Sequence, residues 1–114
     1  MKHIKPYTLM IEDAHTEPQI DDYVILNTDQ TYFITKKIKK FINNKIGQII
    51  KIINYKTLSP DFIVKYDNIP PSLYDQTYDK NNNSFIFENI GCILYISKDK
   101  EQLEALLQAN KYNL

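Results

Sequence analysis

Arginine and tryptophan are absent from the 114 residues, and the chain holds one cysteine and two glycines. Without arginine there is no guanidinium group to bind phosphate, carboxylate or guanine edges through two parallel hydrogen bonds, so lysine has to supply such contacts as a flexible point charge. With only Gly47 and Gly91, the chain cannot build a P-loop, a dinucleotide-binding fingerprint or a Gly-x-Ser-x-Gly elbow. We therefore expect no cofactor and no enzymatic activity.

Long hydrophobic runs are also missing. The longest, such as Ile93-Leu94-Tyr95-Ile96, are far shorter than the roughly 20 apolar residues that a membrane-spanning helix requires. No charged leader followed by an apolar segment opens the chain, and the single cysteine excludes an internal disulfide. The expectation is one soluble, cytoplasmic domain with no membrane partner.

The charges are segregated along the chain although the net charge is zero. Residues 1–35 contain six acidic residues and two lysines, whereas residues 36–56 contain seven lysines and no acidic residue. The basic block predicts a positively charged surface of some kind.

Several short β-branched and aromatic runs predict strands. Residues 21–26, 45–53 and 61–66 form the first three, and residues 85–87 and 92–96 the last two. Gly47 begins the long second strand, where a residue without Cβ allows either a bulge or the close approach of another strand.

Two segments show helical spacing instead. After Thr31 the apolar residues recur every three or four positions with lysines between them, and Asn43-Asn44 predicts the end of this short helix. A C-terminal helix is predicted by Leu103, Leu106 and Leu107, with Asp99 as its N-cap and Gln102 three residues later.

The acidic pair before Tyr23-Val24, the glycine that opens an isoleucine-rich strand and the third strand ending in Tyr66-Asp67-Asn68 resemble the SH3-like small barrels, including the KOW type. The fold class that follows is mainly β with minor α: a five-stranded barrel, a short Lys-rich helix after its first strand and a C-terminal amphipathic helix. Residues 1–20 are then an N-terminal arm or edge segment, 21–97 the barrel, and 98–114 the C-terminal helix and tail.

The whole layout also resembles a group of small, uncharacterised proteins of tailed phages with AT-rich genomes. The similar stretches include Met1 to Lys5, Ile69-Pro70, Ser97 to Glu101 and Lys111 to Leu114. One departure is Asp21, which stands where a glycine often precedes the Asp-Tyr-Val strand. The resemblance implies a phage origin, with the host cytoplasm as the location, and no particular activity.

A Tyr-Asp pair occurs three times, once at the end of the third strand and twice in the polar segment 72–84. Tyrosine offers a large, stiff contact area at a low entropic cost. We predict that this segment binds a protein through Tyr74, Asp75, Tyr78 and Asp79.

The basic block provides an alternative site, because lysines on one face could follow a nucleic-acid backbone as KOW-type barrels do on RNA. The candidate residues are Lys36, Lys37, Lys39, Lys40, Lys45 and Lys51.

Catalytic and metal sites find little support. His15-Thr16-Glu17 is similar to the His-x-Glu of zinc deaminases, but their Pro-Cys-x-x-Cys partner is missing. Cys92 follows Gly91 in an apolar strand, which is typical of a buried thiol, and a dyad with His15 is not indicated.

The sequence therefore favours a non-enzymatic, phage-encoded binding module that acts by protein contact, of which an inhibitor of a host defence complex is one version. A KOW-like RNA or DNA binder and a virion or assembly component that self-associates are the alternatives. The identity of the partner and the oligomeric state stay open.

Overall fold

Six strands form one antiparallel sheet in the order β1-β6-β2-β3-β4-β5. The computed structural model describes residues 5–6, 18–30, 34–54, 60–88 and 92–112. The strands are β1 (Lys5–Pro6), β2 (Tyr23–Leu26), β3 (Ile46–Ile53), β4 (Asp61–Lys65), β5 (Ser84–Glu88) and β6 (Ile93–Ser97). Two α-helices, α1 (Lys36–Ile42) and α2 (Lys100–Tyr112), and two 3-10 helices, η1 (Thr28–Gln30) and η2 (Pro71–Gln76), complete the described elements.

The five longer strands are joined in a simple antiparallel order. Strands β2 to β5 follow one another as a meander, and β6 returns to pair with β2, where Val24 faces Gly47 on one side and Ile96 on the other. The predicted class, mainly β with a Lys-rich helix after the first strand and a C-terminal helix, is confirmed.

One face of the sheet supplies the interior. Phe62 and Val64 of β4 and Phe85 and Phe87 of β5 alternate with residues on the opposite face and are buried, as strand geometry requires. Each such side chain contributes about 1.5–3 kcal/mol when it is removed from water. This cluster holds the strands together.

Gly47 marks a close approach and not a bulge. A Cβ built at this position would overlap Cγ1 of Val64 and lie 2.8 Å from Cζ of Tyr66. The irregularity in the ladder between β3 and β4 occurs further along, between Ile49 and Lys51. Of the two roles predicted for Gly47, the close approach is confirmed.

Helix α1 begins later than its apolar spacing suggested, because Thr35 caps it. The Thr35 hydroxyl accepts a hydrogen bond from the backbone N–H of Ile38 (3.3 Å). The helix ends at Asn43, and Asn44 follows with φ 58°, so the predicted asparagine terminus is confirmed. Ile38 and Ile42 join the interior cluster.

Helix α2 packs against β6, β2 and β3. Its N-cap is Asp99, as predicted: the carboxylate accepts from the N–H of Glu101 (3.0 Å). The side chain of Gln102 bonds to the Ser97 hydroxyl (2.9 Å) instead of closing a capping box. Leu103 is fully buried without belonging to the interior cluster, and α2 therefore covers the outer face of the sheet. Ile25, which points away from the interior, is buried as well.

The start of the first long strand is held by a buried carboxylate. Asp22 accepts from the backbone N–H of Gln19 (2.9 Å) and pairs with Nζ of Lys98 (3.0 Å), so its charge is compensated. Asp21 adopts φ 77°, a backbone conformation that favours glycine. The turn before β2 therefore has a geometry that a glycine would adopt most readily.

The N-terminal arm is described at β1, where Lys5 pairs with Ile96 and Pro6 with Tyr95 at the edge of the sheet, and at residues 18–20. Residues 1–4 and 7–17 of the predicted arm lie outside the described residues. No helix in the described ranges has the length and apolar character needed to cross a bilayer.

Candidate binding surface

The segment between β4 and β5, predicted as a polar loop, is anchored by a 3-10 helix. In η2, Leu73 is buried, and its N–H donates to the carbonyl of Pro70 (2.9 Å). The signal that could have found η2 is Pro70-Pro71, since Pro71 occupies the first helical position, where its missing N–H costs nothing.

Asp79 organises the second half of this segment. Its Oδ1 accepts from the backbone N–H groups of Asn83 (3.0 Å) and Ser84 (3.0 Å) and from the Ser84 hydroxyl (2.9 Å), and its Oδ2 accepts from the N–H of Asn81 (3.2 Å). Partial burial acts to raise the pKa of Asp79, but the hydrogen bonds from Ser84 and Asn83 outweigh it and lower that pKa below its usual value.

Tyr74 and Tyr78 extend from this hydrogen-bonded backbone into solvent. Their relative exposures are 43% and 47%, the largest among the tyrosines on the described surface. The N–H of Tyr78 donates to the carbonyl of Ser84 (2.8 Å), and the Thr77 hydroxyl donates to the carbonyl of Tyr74 (2.7 Å). The backbone is therefore fixed while the rings are free to contact a partner.

The four residues predicted to bind a partner thus fall into two groups. Tyr74, Asp75 and Tyr78 are exposed, whereas Asp79 is partly buried and its carboxylate is used within the segment. Any contribution of Asp79 to binding would be through positioning of the tyrosines.

The structure also separates the six candidate lysines. Lys36, Lys37 and Lys40 are exposed on α1, and Lys39 is half-buried. Nζ of Lys45 lies 4.6 Å from the centre of the Phe41 ring, a cation–π contact. Lys51 pairs with Ile63 on the sheet face that points away from the interior, whereas α1 packs onto the interior.

A hydrogen bond joins the basic helix to the tyrosine segment across 41 residues of sequence. The hydroxyl of Thr35, the cap of α1, donates to Oε1 of Gln76 at the end of η2 (2.7 Å). Two sites that were predicted separately are therefore neighbours. We call them together the α1–η2 surface, which consists of Lys36, Lys37, Lys40, Tyr74, Asp75 and Tyr78.

Helix α1 packs onto an aromatic cluster through its Phe41 side chain. The ring of Phe41 lies 5.9 Å from that of Tyr66 and 6.3 Å from that of Phe85, in edge-to-face arrangements. Tyr66 is buried, and no described group forms a hydrogen bond with its hydroxyl. Burial, with a smaller contribution from Cys92, raises the pKa of Tyr66 far above its usual value.

A separate cleft of about 110 Å³ opens on the outer face of the sheet. Residues of β2, β3 and β4, Asp67 after β4 and the first residue of α2 line it, and neither α1 nor η2 contributes. The lining is Tyr23, Ile46, Gly47, Gln48, Lys65, Asp67 and Lys100. Sequence reasoning did not identify this cleft.

The candidates for catalysis and metal binding gain no support from the described residues. Cys92 is buried, and burial raises the pKa of its thiol to about 12, so it does not supply a thiolate at neutral pH. His3 and His15 lie outside the described residues. In the described part of the chain, no three His, Cys, Asp or Glu side chains come together in a way that could hold a metal ion.

No protein-family model matches this chain, and no curated protein or solved structure is similar enough to count as a match.

Proposed function

We propose that this protein is a non-enzymatic binding module that acts by protein–protein contact through the α1–η2 surface. The observation that carries the proposal is the display of Tyr74 and Tyr78 on a hydrogen-bonded backbone, in a segment that the Thr35–Gln76 hydrogen bond joins to the lysine-bearing helix α1. Tyrosine and mixed polar contacts are typical of protein-recognition surfaces, and a backbone fixed before binding reduces the entropy lost on association.

The phage origin and the cytoplasmic location belong to the same proposal. They are supported by the resemblance to small phage proteins and by the single buried cysteine, which suits a reducing compartment. In its concrete form, the proposal is that the protein inhibits a host defence complex.

Affinity capture tests the proposal. The tagged chain should retain a specific protein from a lysate of the phage host, and Tyr74→Ala combined with Tyr78→Ala should reduce its capture by about tenfold or more, as expected when two central aromatic contacts are lost. The melting temperature should barely change, because both rings are largely exposed.

The matched control replaces Ile86 and Leu94, each 38% exposed and outside the α1–η2 surface, with alanine. This variant should capture the same protein as the unmodified chain. Equal capture by the tyrosine variant would remove the α1–η2 surface from consideration.

A second candidate, binding to RNA or DNA, is favoured by one observation: the Thr35–Gln76 hydrogen bond joins the helix that carries exposed lysines to the segment that carries two exposed tyrosines. Lysines can contact phosphates, and tyrosine rings can stack on bases. For three phosphate contacts on a single strand, affinity for an oligonucleotide should fall by about 20-fold between 50 and 200 mM salt. A fluorescence anisotropy titration measures this, and the absence of binding at 50 mM salt would exclude the candidate.

A further inference from the structure

We infer that the α1–η2 surface recognises an acidic segment of a partner protein that also carries apolar side chains. This inference deepens the proposed function, on which it rests. It begins with the lysines of α1, which are exposed at positions 36, 37 and 40 and so share one side of the helix. Among the described residues, an ion pair joins Lys98 to Asp22 and none involves these three lysines.

Two of the three lysines are not placed to stabilise the helix that carries them; Lys40, in its last turn, is placed favourably. Lys36 and Lys37 occupy its first turn, where the backbone dipole disfavours cations, and that turn contains no acidic residue. Lys36 and Lys40 are a like-charge pair four residues apart, which is also unfavourable. The helix is held instead by its buried residues Ile38 and Ile42. Charge that opposes local stability is expected where it serves binding.

The two exposed tyrosines explain why the partner segment should also carry apolar side chains. Tyr74 and Tyr78 offer ring surface next to the positive charge, so a fitting partner brings carboxylates to α1 and apolar groups to the rings. Complementary charge of this kind raises the association rate and selects among partners.

Asp75 makes a protein a better partner than a nucleic acid. Its exposed carboxylate lies next to Tyr74, and every phosphate of a bound strand would bring negative charge towards it. A protein can place a cation or a neutral group opposite Asp75 while its own carboxylates contact α1.

An NMR titration of the full ¹⁵N-labelled chain tests this inference with three probes. The first is a 12-residue peptide of Asp, Glu and two Phe, the second is the same peptide with Asn and Gln in place of the acids, and the third is a 12-nucleotide oligo-dT. The acidic peptide should shift the amide signals of residues 35–41 and 72–80 and bind about tenfold more tightly than the neutral one.

Charge reversal provides the matched pair of variants. The variant that combines Lys36→Glu, Lys37→Glu and Lys40→Glu should bind the acidic peptide with about tenfold lower affinity. Glutamate at positions 36 and 37 favours the first turn, whereas glutamate at position 40 lies in the last turn, where the dipole disfavours it. The circular dichroism spectrum and melting temperature of the variant are therefore measured alongside its affinity, and both should match those of the unmodified chain. The control reverses three exposed lysines elsewhere and should leave affinity within about twofold; its positions are Lys51, Lys65 and Lys100.

Each other outcome overturns the inference. These outcomes are equal affinity for the acidic and neutral peptides, tighter binding of oligo-dT, shifts confined to other residues, or no shift with the acidic peptide at millimolar concentration. If any of them occurs while capture of a protein still depends on Tyr74 and Tyr78, the proposed function survives and only the acidic character of the partner is wrong.

Discussion

Replacing Gly47 with alanine should destabilise the protein by about 1–3 kcal/mol, because the interior has no space for one more methyl group. The new Cβ would overlap Cγ1 of Val64 and lie 2.8 Å from Cζ and 3.0 Å from Cε1 of Tyr66. Carbon atoms pack at about 3.5–4.0 Å, so the tyrosine ring would have to move by roughly 0.7 Å or more.

The surroundings oppose that movement. Val64 lies on β4, paired with both β3 and β5, and Tyr66 packs against Phe41 and Phe85 with ring centres 5.9 and 6.2 Å away. An offsetting gain of about 0.4–1 kcal/mol comes from the reduced freedom of the unfolded chain, since Gly47 does not use a positive φ. The clash should exceed this gain.

Urea unfolding followed by circular dichroism measures the effect, and the slope m should stay constant while the midpoint falls. Val64→Ala provides the partner for a double-mutant cycle, because it removes the Cγ1 atom that Cβ would meet. Gly47→Ala should then cost less in the Val64→Ala background, by about 0.5 kcal/mol or more. Unchanged stability of Gly47→Ala, or an equal cost in both backgrounds, would refute the reasoning.

Two further predictions concern buried and hydrogen-bonded groups. Tyr66→Phe removes a buried hydroxyl that forms no hydrogen bond with any described group, so the free energy of unfolding should rise by about 0.5–2 kcal/mol. Urea unfolding measures this free energy, and a lower value for the variant would mean that the hydroxyl has a hydrogen-bond partner. Because the folded-state pKa of Asp79 is lowered, its stabilising contribution is complete above about pH 4 and is lost as the pH falls through the folded pKa. Unfolding measured between pH 5 and pH 2 should thus show a weaker pH dependence for Asp79→Asn than for the unmodified chain, and identical curves would contradict this role.

Much of the fold could be predicted because its signals are local. The runs that became β2, β3, β4, β5 and β6 were each found within one or two residues of their true ends. Thr35 shows why the start of α1 was missed: a cap depends on one side-chain hydrogen bond, which the hydrophobic period does not record. The helix η2 was missed because its polar residues have no period at all.

The residues of the candidate site could be predicted from the sequence, but their arrangement in space could not. The exposed tyrosines and lysines were identified as separate candidates, but nothing in the sequence indicated that Thr35 would bond to Gln76 and bring them together. Asp79 looked equivalent to Asp75 as the acidic member of a Tyr-Asp pair, yet it is used by Ser84 and its neighbours. Burial on the outer face at Ile25 likewise depends on where α2 packs.

By itself the amino-acid order determined the elements of this protein: strands where β-branched residues cluster, helices where apolar residues recur every three or four positions, and a glycine where two strands meet. These follow from backbone geometry and side-chain period, which act over a few residues. Only the tertiary structure decided which lysines share a surface with Tyr74 and which carboxylate is left for a partner. Those outcomes depend on contacts between residues far apart in sequence, and such contacts exist only once the sheet has brought its segments together.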